Sequence, residues 1–272
     1  MYNNCTTKGA KYGKRRLRVQ NLGGGAPYLS SGRGFSRFKN GFTLAEVLIT
    51  LGIIGVVAAL TMPSLIADYK KKVYVVQLQK AVSVWDNAMK LMLAADEVEY
   101  LNDTELVKIL RDAGRTDYQV YADLRDSFPQ AEEILKKYLK INFINPPKQY
   151  NYTFLGGSLT TNTYYNAIMP DGTIYTIILY SITAAPSDSL QNGSVNIDVN
   201  GPKGPNIMGR DLFLFAMDSR GNLVPSGAGK FGNDWKTSSY LCGTPGSSVI
   251  SSSVTGQGCA ARIMEEGWVM NY

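Results

Sequence analysis

The chain has 272 residues, 44% hydrophobic and 18% charged, which excludes a disordered or collagen-like chain and allows one sizeable core or two small ones. It contains no histidine, so Ser-His-Asp, Cys-His and His-metal catalysis are all removed. The net charge of +6 is split: nine of the 28 basic residues and no acidic residue fall in residues 1–41, leaving 19 basic against 22 acidic, a net of −3. A basic leader on a mildly acidic body argues against nucleic-acid binding by the body.

The leader comes first in chain order. Its basic residues run from Lys8 to Lys39, and Gly23-Gly24-Gly25 marks a flexible stretch. A basic segment ahead of a long apolar run is the positive-inside arrangement. The apolar run begins at Phe42. Between Phe42 and Ala67 the only charge is Glu46, and Thr50 and Thr61 carry hydroxyls able to bond back to the helix. A helix over Phe42–Met62 would be about 31 Å long at 1.5 Å per residue, close to the ~30 Å hydrocarbon core of a bilayer.

Three readings compete for this run. A cleaved secretory signal has a shorter apolar stretch with an Ala-x-Ala site after it. Here the small-residue site precedes the run. A plain membrane anchor fits the length but leaves Glu46 unexplained. A carboxylate within a bilayer segment costs roughly 2.5–3.5 kcal/mol on insertion scales, so such a residue calls for a partner.

The residues Gly41-Phe42-Thr43-Leu44-Ala45-Glu46 resemble the processing motif of type IV prepilins and type II secretion pseudopilins. The resemblance implies cleavage after Gly41 by a prepilin peptidase and N-methylation of the new N-terminus, Phe42. It implies that Glu46, the fifth mature residue, pairs with the N-terminal amine of a neighbouring subunit. In a low-dielectric filament core that pairing would offset much of the desolvation cost. Pro63, the twenty-second mature residue, matches a proline usual in the family, and removes one helix hydrogen bond. The stretch Gly55–Pro63 is where bending or local melting is expected in a filament, and Gly52 and Gly55 permit close helix approach. The resemblance is specific over residues 40–70 and rests on layout elsewhere.

Beyond Pro63 the helical pattern continues. Val73, Val76, Leu78, Val82, Trp85, Met89, Met92 and Leu93 recur mostly at three or four, so one face is apolar to about Ala95. Lys70, Lys71 and Lys72 open the water-exposed part. Trp85 reads as core in preference to a ligand platform. Asp103-Thr104-Glu105 starts a second helix ending near Gly114, and Pro129 starts a third with acids in its first turn. Pro146-Pro147 is expected to break the chain.

From Tyr150 the pattern turns to strands. Tyr164–Met169 and Thr173–Tyr180 flank Pro170-Asp171-Gly172, a hairpin signature. Val195–Val199, Leu212–Met217 and Leu223-Val224 follow, the last two joined by a turn over 218–222. Residues 226–262 read as Gly/Ser/Thr-rich loop. Within them Cys242 and Cys259, 17 positions apart, suit a disulfide in an exported domain, against the alternative of two free thiols. Trp235 and Trp268 either pack beneath that loop or stand exposed. The expected fold is α+β and pilin-like: a long N-terminal membrane-spanning helix packed on an antiparallel sheet, with additional short helices. The expected division is 1–41 cleaved leader, 42–66 transmembrane or filament-core helix, and 67–272 periplasmic or extracellular domain.

Asp198, Asn200 and Asp211 would place oxygen ligands on one turn. Some pseudopilins hold calcium in a β-region loop, so this loop resembles a candidate calcium site, although the full twelve-residue calcium pattern is absent. The alternative is an Asx-rich turn capping its own backbone. Gly227-Ala228-Gly229-Lys230 lacks the first glycine of a P-loop. No cofactor is otherwise expected, and no enzymatic activity.

The resemblance implies a subunit of a type II secretion pseudopilus or a type IV pilus. Its partners would be other pilin or pseudopilin subunits, the prepilin peptidase and an inner-membrane assembly platform. It would sit in the inner membrane as a single-pass protein with its C-terminal domain outside, then in the filament. The rival is a membrane-anchored periplasmic ligand-binding domain, which requires neither cleavage nor Glu46.

Overall fold

A computed structural model describes residues 41–119, 128–158, 160–185, 187 and 191–272. Leader residues 1–40, including Cys5, lie outside the described residues. The chain divides into two units, Met1–Ile53 and Ile54–Tyr272.

The described part of the first unit is the beginning of helix α1, which runs from Leu44 to Ala95. Thr43 is its N-cap. In the second unit α1 contains Pro63 without a break in the helix. Farther along, Tyr74, Val75, Leu78, Ala81, Val82, Trp85, Ala88, Met89 and Met92 are buried. This stripe differs from the expected one at two edges: Tyr74 and Val75 are inside, while Val76 is 63% exposed. A helix turns 100° per residue, so Val76 lies almost opposite Leu78 and cannot share its face.

Seven antiparallel strands form the sheet: β1 Tyr118–Gln119, β2 Asn142–Thr153, β3 Thr160–Ile168, β4 Ile174–Leu179, β5 Gly193–Asp198, β6 Leu212–Met217 and β7 Leu223–Pro225. Six lie in the order β2-β3-β4-β5-β6-β7, and β1 pairs with β4. The buried face of the sheet, including Tyr175, Ile177, Val195, Ile197, Phe213 and Phe215, packs with the α1 stripe in one core. Specific bonds fix the docking. Trp85 Nε1 donates to the Gly221 carbonyl at 2.8 Å, and the Tyr175 hydroxyl donates to the Ala81 carbonyl at 2.9 Å. Trp85 is therefore a core residue.

The turn between β3 and β4 follows the hairpin signature. Gly172 takes a φ of +94°, and the Thr173 amide donates to Asp171 Oδ1 at 3.0 Å. Asp171 also pairs with Lys80 of α1 at 2.6 Å. The expected break at Pro146-Pro147 does not occur: β2 runs through both prolines. It is an edge strand, and its pairing with β3 shifts register between Phe143 and Lys148. Edge strands and bulges tolerate the missing ladder donors that a central strand would not.

Helices α2 (Glu105–Asp112) and α3 (Pro129–Leu139) stand where expected. Thr104 caps α2, accepting from the Val107 amide. The 226–262 region is more ordered than its composition suggested. It contains two short helices, α4 (Ser239–Cys242) and α5 (Cys259–Glu265), joined by the Cys242–Cys259 disulfide. Trp235 packs with Leu241 and Ala261 beneath this region. Trp268 packs part-buried against the main core.

Candidate functional site: the start of helix α1

Thr43 and Glu46 close a reciprocal capping box. The Thr43 amide donates to Glu46 Oε2 at 2.8 Å, and the Thr43 hydroxyl donates to the same oxygen at 2.9 Å. The Glu46 amide donates back to Thr43 Oγ1 at 3.2 Å. A helix start leaves its first amides unpaired, and a Thr-x-x-Glu pair satisfies two of them. The Thr-x-x-Glu pattern is present in the sequence, where the processing motif overlays it. Glu46 therefore has an intrachain role independent of any neighbouring subunit. Its negative charge is also favoured at the positive end of the helix dipole.

The segment that follows is left uncovered among the described residues. The twelve large apolar side chains from Val47 to Ile66 are each at least 41% exposed. Burying one such side chain is worth roughly 1.5–3 kcal/mol. Leaving twelve in water would cost on the order of 20–30 kcal/mol, more than the ~5–15 kcal/mol stability of an ordinary domain. The segment needs lipid or other protein around it. Among the described residues, α1 is the one helix long and apolar enough to cross a membrane. Its polar groups are satisfied locally: Thr50 and Thr61 hydroxyls donate to the Val47 and Val57 carbonyls at 3.0 and 2.9 Å. Added Cβ atoms on Gly52 and Gly55 would meet nothing within 4 Å, so no contact among the described residues explains either glycine.

Residues 36–62 match the family profile described as the prokaryotic N-terminal methylation motif. The chain carries the signature of type IV pilins and pseudopilins. The motif ends at Met62, and the long apolar helix and α+β domain continue beyond it in the pilin-like arrangement. No curated protein and no solved structure matches the chain significantly. The signature supports a pilin-like, prepilin-processed subunit. The signature and the single apolar helix fit a single-pass membrane anchor.

The loop singled out for calcium does bring its three residues together. Asp198 and Asp211 are fully buried. Asp211 accepts from the Asn206 amide at 2.9 Å and the Ile207 amide at 2.7 Å, one on each oxygen. Asp198 Oδ1 accepts from the Asn200 amide at 3.3 Å, and Asn200 Nδ2 donates to the Gly204 carbonyl at 2.8 Å. Asp198 Oδ2 and Asn200 Oδ1 are left without a hydrogen bond among the described residues. Calcium takes six to eight oxygens. Here three of four carboxylate oxygens face N–H donors, whose positive ends would repel a cation. Among the described residues no three His, Cys, Asp or Glu side chains gather to hold a metal. The hydrogen-bonded oxygens are those of an Asx-capped loop, and the two unpaired ones, Asp198 Oδ2 and Asn200 Oδ1, fall short of the six to eight that calcium takes.

Burial, reinforced by the nearby Asp211 charge, pushes the Asp198 carboxyl up to about 8, against the opposing pull of the Tyr150 hydroxyl and the Asn200 and Gly201 amides. Burial also raises Asp211, held back by the Ile207 and Asn206 amides. The folded state thus keeps a proton on Asp198 that the unfolded state releases near pH 4. The stability this gives is present below about pH 4 and is lost as pH rises through about 8. Asp198→Asn should flatten the pH dependence of the denaturant midpoint between pH 5 and pH 8 and raise the midpoint at pH 8. Millimolar calcium should leave the wild-type midpoint unchanged. A calcium-dependent rise at pH 8 that the Asn variant lacks would restore the metal site.

Proposed function

We propose that this chain is the structural subunit of an extracellular or periplasmic filament, either a type II secretion pseudopilus or a type IV pilus. The precursor inserts with its basic leader in the cytoplasm and its C-terminal domain outside. Prepilin peptidase cuts between Gly41 and Phe42 and methylates the Phe42 amine. Residues 42–66 then leave the bilayer and become the filament core, and residues 67–272 form the outer domain. An inner-membrane platform drives the transfer.

The observation that carries this reading is a capped, singly charged helix start followed by twelve exposed apolar side chains. Lipid covers those side chains before assembly and other subunits cover them afterwards. Because lipid tails are as apolar as leucine, the exchange itself is nearly neutral, and close packing at Gly52 and Gly55 and polar pairing must favour the filament. Glu46 supplies that pairing through the methylated amine of an adjacent subunit, which also sets the axial register. Pro63 leaves the Ala59 carbonyl without its helical donor. The stretch from Gly55 to Pro63 is the place for the helix to loosen when subunits stack.

Gly41→Leu should block cleavage, since any side chain at that position obstructs a site built for glycine. Immunoblots of membranes should then show the precursor alone. Mature-sized protein from that variant would count against the assigned cut. Surface fibres containing the subunit would place it in a pilus, and loss of exoprotein export without such fibres would place it in a pseudopilus. A membrane-anchored ligand-binding domain would keep its leader and work normally without Glu46.

A further inference from the structure

Between α1 and the 201–210 loop, within the second unit, lies a groove of about 490 Å³. On α1 it is lined by Pro63, Ile66, Ala67, Lys70, Lys71 and Tyr74, and on the loop by Lys203, Gly204, Pro205 and Arg210. No carboxylate lines it, and none of the four cations forms an ion pair among the described residues. The two sides come from segments more than 130 positions apart, so no local pattern in the sequence announces the groove.

The buried Asx cluster explains why the loop side is held in place. Asn200 Nδ2 binds the Gly204 carbonyl, and the Gly204 amide donates to Asn206 Oδ1 at 3.1 Å. Asp211 turns inward onto the Asn206 and Ile207 amides. Its charge is therefore directed away from the groove while its neighbour Arg210 lines it. Four cations converging on one groove without counter-charge repel one another, and an anion relieves that.

Position identifies the class of anion. The apolar run ends at Met62, and Ile66 lies about 6 Å farther along the helix. That is the depth of the headgroup layer, which adds roughly 5–8 Å to each side of the hydrocarbon core. A groove whose α1 side passes from Pro63 and Ile66 to Lys70 and Lys71 at that depth matches a lipid, with acyl chains toward Pro63 and a phosphate toward the lysines. We infer that the groove of Pro63, Ile66, Lys70, Lys71, Lys203 and Arg210 binds the headgroup of an anionic phospholipid and holds the unassembled subunit at the outer face of its membrane. The inference rests on the membrane insertion proposed above.

The test is native mass spectrometry of the full chain in detergent, offered equal amounts of phosphatidylglycerol and phosphatidylcholine with the same acyl chains. Wild type should retain phosphatidylglycerol preferentially. Each cation near an anionic headgroup is worth about a fivefold change in affinity, so Lys203→Gln with Arg210→Gln should cut the preference about 25-fold. Lys203→Arg with Arg210→Lys should keep it, which guards against misfolding of the neutral pair. Equal retention of both lipids, or a preference that survives the Gln pair, would overturn the inference. So would displacement of the lipid by millimolar inorganic phosphate, which would mark a free-anion site. Retention of neither lipid would overturn it as well, whereas recovery of the full chain from membranes by alkaline carbonate without detergent would overturn the membrane insertion on which it stands.

Discussion

Replacing Glu46 by Gln stops filament assembly and leaves a stable monomer in the membrane. The substitution is chosen because the capping box has given Glu46 two separable jobs. Gln at the third helical position still accepts from the Thr43 amide and hydroxyl, so the helix start is kept. What is lost is the charge that a neighbouring N-terminal amine requires. Breaking a buried pair by removing one partner costs about 3–5 kcal/mol, or roughly two to four orders of magnitude in subunit association. Thr43→Val is the complement. It removes the acceptor for the Glu46 amide and costs about 1 kcal/mol at the helix start, but it leaves the charge. Its filaments should be fewer and still form. Quantifying sheared or cross-linked filaments for both variants decides the matter. Normal assembly in the Gln variant, with loss only in the Val variant, would assign Glu46 to capping alone.

Cys259→Ser lowers the melting temperature by about 6–12 °C. The bridge to Cys242 closes a loop of 17 positions, worth about 3 kcal/mol in the chain-entropy description. At 2–4 °C per kcal/mol for a domain of this size, that gives the stated shift. The damage should be concentrated at the C-terminal end. Arg262, fully buried on α5, reaches across the loop to donate to the Cys242 carbonyl at 2.9 Å and the Ser247 carbonyl at 2.7 Å. Its guanidinium lies over the rings of Tyr272 and Trp235, 5.1 and 5.5 Å from their centroids. Opening the disulfide frees the 243–258 loop that Arg262 holds, so proteolysis should cut there first. Thermal melts of wild type with and without reductant, beside the Ser variant, measure the effect. Identical melts in all three would contradict it.

Much of this molecule is legible because its decisive features are local. A run of apolar residues broken by one carboxylate, a small-residue site before it, and a turn of Pro170-Asp171-Gly172 each depend on neighbours a few positions away. The Thr43–Glu46 box was equally local, and only the stronger processing motif hid it. Long-range features were harder. The strand through Pro146-Pro147 exists because β2 lies at a sheet edge, a fact of topology that local proline rules do not contain. Tyr118–Gln119 is a strand only because β4 has an open edge beside it. Asp198 and Asp211 read as cation ligands, and three of their four oxygens accept from loop amides of residues 200, 206 and 207. The hydrogen-bond direction that separates a ligand from a cap is invisible in residue type. Lys203 and Arg210 joined Lys70 and Lys71 through folding alone.

The account depends on a covalent event at one peptide bond. Intact-mass and N-terminal peptide analysis of the wild-type protein, extracted from membranes of cells that express the prepilin peptidase, reads that event directly. The expected mature chain begins with N-methylated Phe42. A chain that still carries its leader, or one that begins at any residue other than Phe42, would contradict the account at its root.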